Sequence, residues 1–307
     1  MKKIFVVLFF LFSFSLFANE VMDYINQSEK LYNQGNTKTA LEKINSALKI
    51  APENLQAITD RSVFYIDLGN YDLAFDDAQK ALSIDENDLK AHYCRGVAYY
   101  YLKNFDKALE DFNFYLKQFP EHPTILNFRG LTYMELSDYK KAEQDFSLAI
   151  AFGMLVGNFR LDIFCNNHAR AFIALEDFES AVKELDKAII ANPFNAEYYT
   201  NRSFCYNKLG KYTEAINDAE KSITYAPNSE EAYINYGQIF MSAEKYEKAI
   251  EKFSSAIKIN PKNDASFYYI SVCYNNLGNK FESKKYIDKA ILLAPNKNEY
   301  LTYKSGL

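Results

Sequence analysis

The feature that most constrains this chain is the placement of its seven prolines, at 52, 120, 123, 193, 227, 261 and 295. The last four are spaced 34 residues apart, and the step from Pro52 to Pro120 is twice that interval. The 73 residues from Pro120 to Pro193 are two intervals plus five. Proline ends a helix that it cannot continue, so six of the seven mark one phase of a 34-residue period. A period of this length means a repeated supersecondary unit. Each copy is too small to bury its own apolar face, and stacked neighbours complete the core.

Laid in rows of 34 from residue 21, the chain gives eight rows. They begin at Val21, Leu55, Leu89, Pro123, Asp162, Ala196, Glu230 and Asp264, with five extra residues ahead of the fifth. Position 8 holds Gly96, Gly130 and Gly237, or the small Ser62, Ala169, Ser203 and Ser271. Position 11 is aromatic from Tyr65 to Tyr274, and position 20 is Ala from Ala40 to Ala249 before Ser283. Position 27 is Ala except at Tyr115 and Ser222. Positions 4, 7, 8 and 11 recur at i, i+3, i+4 and i+7, which predicts an amphipathic helix A facing the core. Positions 20, 24, 27 and 28 predict a helix B in the same way. Gly35, Gly69, Gly210 and Gly278 at position 15 end helix A, and the proline at 32 follows helix B. Alanines at 20 and 27 let two backbones approach, and Phe112, Phe146 and Phe253 at 24 fill the space beside them.

On this framework of small residue, aromatic, alanine, alanine and proline, the chain resembles the tetratricopeptide repeat (TPR) family over residues 21–297. The resemblance implies an all-α, right-handed α-solenoid of about eight helix-turn-helix units. The Trp often found at position 4 is replaced by Tyr24, Ile58, His92, Leu126, Cys165, Tyr199, Tyr233 and Phe267. Lys280 and Ser283 in row 8, and Met154 in place of proline, are further departures. Residues 19–156 then form rows 1–4 and residues 162–297 form rows 5–8, with 157–161 as an insertion or hinge. Residues 298–307 form a capping segment in which Tyr300 and Leu301 cover row 8. The stretch 151–161 is rich in Phe152, Met154, Leu155, Val156, Phe159 and Leu161, which either finish a local core or protrude.

The first eighteen residues are a separate object. Lys2 and Lys3 precede an apolar run from Ile4 to Ala18, shorter than the roughly twenty residues of a spanning helix. This reads as a bacterial secretory signal cut after Ala18, or as a membrane anchor if left uncut. The expected location is beyond the inner membrane, periplasmic or secreted. Four cysteines without C-x-x-C spacing, at 94, 165, 205 and 273, read as buried packing residues.

Formal charge is −5, from 35 basic and 40 acidic residues, which argues against a nucleic-acid partner. No catalytic motif is present. His92, His122 and His168 lie in different rows, the first and last at packing positions. The pairs Asp76–Asp77 and Glu230–Glu231 read as solvated helix faces. The chain is expected to be no enzyme, with no metal, cofactor or small-molecule substrate.

A binding surface is the better expectation. Positions 2, 5, 6, 9, 12 and 13 of helix A point away from the core, and in the TPR family that stripe lines a concave groove for an extended peptide. Position 6 gives Asn167, Asn201 and Asn235 in rows 5–7, with Asn166 beside the first. Side-chain amides both donate and accept, so they can pair with a peptide backbone of any sequence, and some family members use such a ladder. The stripe also holds Tyr93, Tyr100, Tyr101, Phe128, Phe204, Tyr268 and Tyr269. Its sparse, mixed charges include Asp60, Lys90, Arg170 and Glu197. No three consecutive rows supply the Lys, Asn and Arg set with which one TPR class clamps a C-terminal carboxylate. The reading is a non-enzymatic protein-interaction module for an uncharged or mildly polar polypeptide segment. The alternative is a scaffold that assembles through its convex face, its ends or the 151–161 insert.

Overall fold

The computed structural model describes residues 2–157 and 160–307, with side chains from residue 18 onward. Phe159 lies outside the described residues. Seventeen helices and no strand are found among the described residues. Rows 1–4 are the pairs α1 (Lys2–Asn33) with α2 (Thr37–Ile50), α3 (Leu55–Asp67) with α4 (Tyr71–Ile84), α5 (Leu89–Tyr101) with α6 (Phe105–Gln118), and α7 (Pro123–Glu135) with α8 (Tyr139–Leu155). Rows 5–8 are α9 (Leu161–Ala174) with α10 (Phe178–Ala191), α11 (Ala196–Lys208) with α12 (Tyr212–Tyr225), α13 (Glu230–Ser242) with α14 (Tyr246–Ile259), and α15 (Asp264–Asn276) with α16 (Lys280–Leu293). A last short helix, α17 (Asn298–Ser305), follows. The chain divides into two compact units, Met1–Phe152 and Gly153–Leu307. No described helix is long and apolar enough to cross a membrane.

The helix ends follow from local chemistry. Position 34 is the N-cap of the next helix A: Asn54, Asp88 and Asn263 accept from the backbone N–H groups of Ala57, Ala91 and Ser266. At position 15 the chain turns through positive φ in every row. Glycine does this in four rows, and Lys103, Ser137, Glu176 and Glu244 are held at φ of 55–61° in the others. The following N–H bonds back to the carbonyl at position 11, as in Asn70 to Tyr65 and Asn104 to Tyr99, each at 2.8 Å. These bonds satisfy the carbonyls that a helix leaves open at its end.

Inside each hairpin, positions 8 and 24 fit as hole and knob. A Cβ on Gly96 would stand 2.7 Å from the ring of Phe112, one on Gly130 2.7 Å from Phe146, and one on Gly237 2.6 Å from Phe253. Where position 8 carries a side chain, position 24 shrinks: Ser62 faces a row with Ala78, Ala169 one with Leu185, and Ser203 one with Ala219. Ser62 Oγ donates to the Ala74 carbonyl at 2.7 Å, so the small residue also spends its polar atom within the hairpin. All these side chains are buried.

Position 7 departs from the apolar reading. Arg61, Arg95, Arg129 and Arg202 occupy it, each forked onto the Asp sixteen residues on. Those acids are Asp77, Asp111, Asp145 and Asp218, bonded at 2.7–2.9 Å. The acids are 2–6% exposed, so Asp77 is not on a solvated face. A remaining N–H of each Arg reaches position 25 of the row before, at Asn45, Gln79, Asn113 and Asp186. The spacing rule was right about burial and wrong about chemistry. An arginine stem is apolar enough for the core stripe, and its head is satisfied by a planar carboxylate. The Asp111 hydrogen bonds hold the Arg95 guanidinium above its ordinary pKa, and Asp77 does the same for Arg61.

The other rows fill the same two positions differently. Row 5 pairs His168 Nδ1 with Glu184 Oε2 at 3.7 Å, and Lys187 adds a bond to Glu184 at 2.7 Å. In row 7 the Tyr236 hydroxyl donates to Glu220 at 3.0 Å while Lys252 sits 5.1 Å over its ring. Row 8 packs Ile270 in a core that Tyr286 borders.

The four cysteines are buried and free. Burial pushes each thiol up to about 12, so they act as small apolar residues. His92 is buried and satisfied, its Nδ1 2.7 Å from Asp111 and its Nε2 3.0 Å from the Glu86 carbonyl. In the insert, α8 runs to 17 residues against 14 for α6. Its end leaves Met154, Leu155 and Val156 65–80% exposed, so these side chains protrude rather than finish a core. At the other end Tyr300 is buried at 1% exposure, whereas Leu301 is 45% exposed.

Candidate polypeptide-binding surface

The expected stripe has two characters, one in each unit. In the first unit it is aromatic. Tyr93, Tyr100 and Tyr101 stand on α5 at positions 5, 12 and 13, and Phe128 stands on α7 at position 6. Phe128 meets Tyr93 at 6.1 Å and Tyr100 at 6.3 Å, both edge-on. Tyr100 meets Tyr101 at 5.1 Å, and Tyr101 stacks on Tyr71 at 4.0 Å with the planes 8° apart. The rings thus form one connected series across rows 2, 3 and 4. Tyr101 is 45% exposed, and the other three predicted residues are half-buried. A series of fixed rings offers large amphipathic area while ordering few torsions on binding.

One ion pair lies beside this series. Lys90 is bonded to Asp60, which is 3% exposed and so no open groove charge. Burial pushes the Asp60 carboxyl above the usual range, with Lys90 countering in part. Beside Tyr93 opens a pocket of about 470 Å³ between the start of α5, the end of α6 and the start of α7. It was not legible as a cavity in the sequence. Its signal was Tyr115, the bulky residue in the alanine position of row 3.

In the second unit the stripe is amide. Asn166, Asn167 and Asn235 are only 4–7% exposed, and Asn201 is half-buried. Their amides are used within the chain. Asn201 Nδ2 donates to Asn166 Oδ1 at 2.9 Å, and Asn166 Nδ2 donates to Glu197 at 2.9 Å. Asn235 Nδ2 donates to Ser203 Oγ. The ladder therefore exists as a row-to-row tie, not as the row of open amides that residue type suggested. The reason is distance: position 6 lies where successive A helices come together, so a short amide reaches its neighbour before it reaches solvent.

The remaining expected residues divide. Arg170 is exposed. Phe204 is half-buried, edge-on to Phe178 at 6.1 Å with Lys208 5.4 Å over its ring. Tyr268 is stacked on Tyr300 of α17 at 4.8 Å and meets Tyr303 at 5.4 Å, so the cap takes its face. Tyr269 stacks on Phe253 at 5.1 Å and accepts from Gln238 at 2.9 Å. These two tyrosines close the end of the core.

A helical hairpin of 34 residues, repeated with a small-residue hole, a large knob and a left-handed turn, defines a class of helical-repeat protein. Two family profiles described as tetratricopeptide repeat match residues 55–88, and 93–154 with 166–228, together more than half of the chain. A third, described as anaphase-promoting complex, cyclosome, subunit 3, matches residues 208–290. The chain belongs to the tetratricopeptide repeat family, and is on that ground a protein–protein interaction module. A tetratricopeptide repeat protein from Parabacteroides merdae is 24% identical with a TM-score of 0.58, over 84% of this chain and all of that one. The APC/C hetero-tetramer Cut9–Hcn1 is 11% identical with a TM-score of 0.66, over 92% of this chain and 54% of that one. TTC0263, a thermophilic TPR protein of Thermus thermophilus, is 18% identical with a TM-score of 0.50, over 60% of this chain and 98% of that one. No curated protein sequence matches the chain.

Proposed function

We propose that this chain is an exported, non-enzymatic module that holds an extended, uncharged or mildly polar segment of a partner polypeptide. The segment lies on the aromatic series of α5 and α7. The carrying observation is the connected series Tyr93, Phe128, Tyr100, Tyr101 and Tyr71, with its outermost ring 45% exposed and the nearby Lys90 paired with Asp60. Buried interface centres favour aromatic anchors with few charges. The amide stripe of α9, α11 and α13 serves as the tie that spaces the rows. Export rests on Lys2, Lys3 and the apolar run that follows them.

Selection of a random displayed peptide library on the immobilised chain tests the binding reading. Enriched peptides are expected to lose about tenfold or more in affinity against Tyr100→Ala/Tyr101→Ala, the usual scale for truncated aromatic anchors. A library from which nothing is enriched, or peptides indifferent to that variant, would overturn it.

A scaffold that associates with itself is the second reading, favoured by Met154, Leu155 and Val156 at 65–80% exposure. Light scattering decides it. A mass that stays monomeric at high concentration removes it, and one that rises but falls back in Leu155→Lys supports it.

A further inference from the structure

The pocket of about 470 Å³ beside Tyr93 falls within the size range of specific ligand sites. Its walls are Leu89 and Tyr93 from α5, Tyr115 from α6 and Ile125 from α7. It exists because row 3 breaks its own rule. Position 27 is Ala in six of the eight rows, and Tyr115 takes that place here. Its ring lies edge-on to His122 at 5.2 Å and 5.9 Å from Phe119, outside the crossing that alanine normally fills.

One polar group bordering the apolar walls is buried and unmatched, and two half-buried hydroxyls stand beside it. His122 Nδ1 is buried without a hydrogen-bond partner. The half-buried Tyr115 and Thr124 also line the pocket, each with a hydroxyl that can donate or accept. A buried polar atom left unmatched is a standing cost that a ligand can remove. The one cation at the rim, Lys90, is already held by Asp60, so the pocket offers no net charge to an ionic ligand.

We propose that this pocket takes one aromatic side chain carrying a polar hydrogen, a tyrosine or tryptophan, from the bound polypeptide. The ring fills the space between Tyr93, Tyr115, Leu89 and Ile125. Its O–H or N–H then meets His122, whose ring torsion is soft enough to present Nδ1, or the Thr124 hydroxyl. A charged side chain is refused because it would leave water without a counter-charge, and phenylalanine fits the walls but leaves the polar groups as they were. This assignment rests on the polypeptide-binding reading above and adds the residue that anchors it.

The test uses the full chain with labelled methyl groups, so that Leu89 and Ile125 report on the pocket by NMR. N-acetyl-tyrosinamide and N-acetyl-tryptophanamide are the probes, and N-acetyl-phenylalaninamide is the comparison. Saturable shifts of both methyl signals are expected, with the phenylalanine amide about three- to tenfold weaker for want of one hydrogen bond. Thr124→Trp, at the pocket rim, is expected to abolish them, and His122→Leu to narrow the gap between the amides. A melting curve checks that both variants are folded. If Thr124→Trp fails to fold, Thr124→Phe takes its place. Methyl signals that never move, move equally for all three amides, or still move in the folded rim variant overturn the proposal. The outcome is separable from that of the peptide selection. Peptides that depend on Tyr100 and Tyr101 while the probes leave Ile125 unmoved keep the surface and remove the pocket. An empty selection removes the surface reading, and the probes alone then decide the pocket.

Discussion

The two units are built on one row and differ in how they spend it. In the first, rows 2, 3 and 4 all lock helix A to helix B with an Arg–Asp fork. In the second, only row 6 does so. Rows 5, 7 and 8 use His168 with Glu184, Tyr236 with Lys252, and Ile270 beside Tyr286. The outward stripes differ in the same sense. Aromatic rings meet one another up to the 45% exposed Tyr101 in the first unit, and amides bond between rows in the second. The small-residue hole, the left-handed turn and the alanine crossings suffice for the hairpin. Positions 7, 23 and the stripe are then free to carry stability or recognition.

The largest test of this contrast removes one half of a fork. Arg129→Ala strands Asp145, whose side chain is 5% exposed, without its counter-charge. A loss of about 3–5 kcal/mol is expected in denaturant titration. The row 7 counterpart, Tyr236→Phe, gives up only the bond to Glu220 and is expected to cost about 1 kcal/mol. The double change Arg129→Met/Asp145→Leu should recover most of the loss, because an ion pair replaced by packed apolar residues is often near neutral. Equal losses for Arg129→Ala and Tyr236→Phe would erase the distinction between the units.

Next in size is the hole. Gly130→Ala places a methyl 2.7–3.0 Å from the Phe146 ring, closer than side chains normally approach. Overpacking of this kind costs about 1–3 kcal/mol. Gly130→Ala/Phe146→Leu copies the Ala169 and Leu185 pair of row 5, and is expected to regain part of that loss.

The units should also answer differently to acid. Burial pushes the His122 imidazole below its ordinary value of 6.5. The folded chain therefore binds that proton less readily than the unfolded chain. The stability His122 contributes is present above 6.5 and lost as pH falls through the lower folded value. At Glu184, burial works against ionisation, but His168 and Lys187 outweigh it and hold the carboxyl below its ordinary 4.5. Its contribution is present above that value and lost only at lower pH. Titrating stability against pH should show His122→Gln flattening the upper range and Glu184→Gln the lower.

The smallest effects belong to the turns. Lys103 and Ser137 sit at φ of 61° and 60°, where Gly69 and Gly210 serve other rows. Lys103→Gly and Ser137→Gly are expected to stabilise by up to about 1 kcal/mol each, seen as a raised midpoint.

Much of this was readable in the residues, because period, caps and holes are local rules. Pro52 and Pro295 mark the same joint, and Phe112 at position 24 reads as a space-filler, although that it fills the hole at Gly96 is seen only in the packed hairpin. The forks were missed although Arg61, Arg95 and Arg129 recur at 34 and each acid follows 16 later. Spacing shows only which face is buried, not whether an apolar side chain or a paired arginine fills it. The asparagines were misjudged for the opposite reason. Type and spacing announce an amide ladder but not whether successive helices stand close enough for Asn201 to reach Asn166. Tyr268 shows the same gap: only the path of α17 decides that its face is covered.

The central claim is that recognition resides in the aromatic stripe and not in the amide stripe, and affinity for one selected peptide tests it most directly. Measured by fluorescence anisotropy on folded variants, Tyr100→Ala/Tyr101→Ala is predicted to weaken binding about tenfold or more. Asn167→Ala/Asn201→Ala/Asn235→Ala should lower stability while changing affinity by less than about threefold. Affinity unchanged by the tyrosine pair and lost with the asparagines would contradict the account.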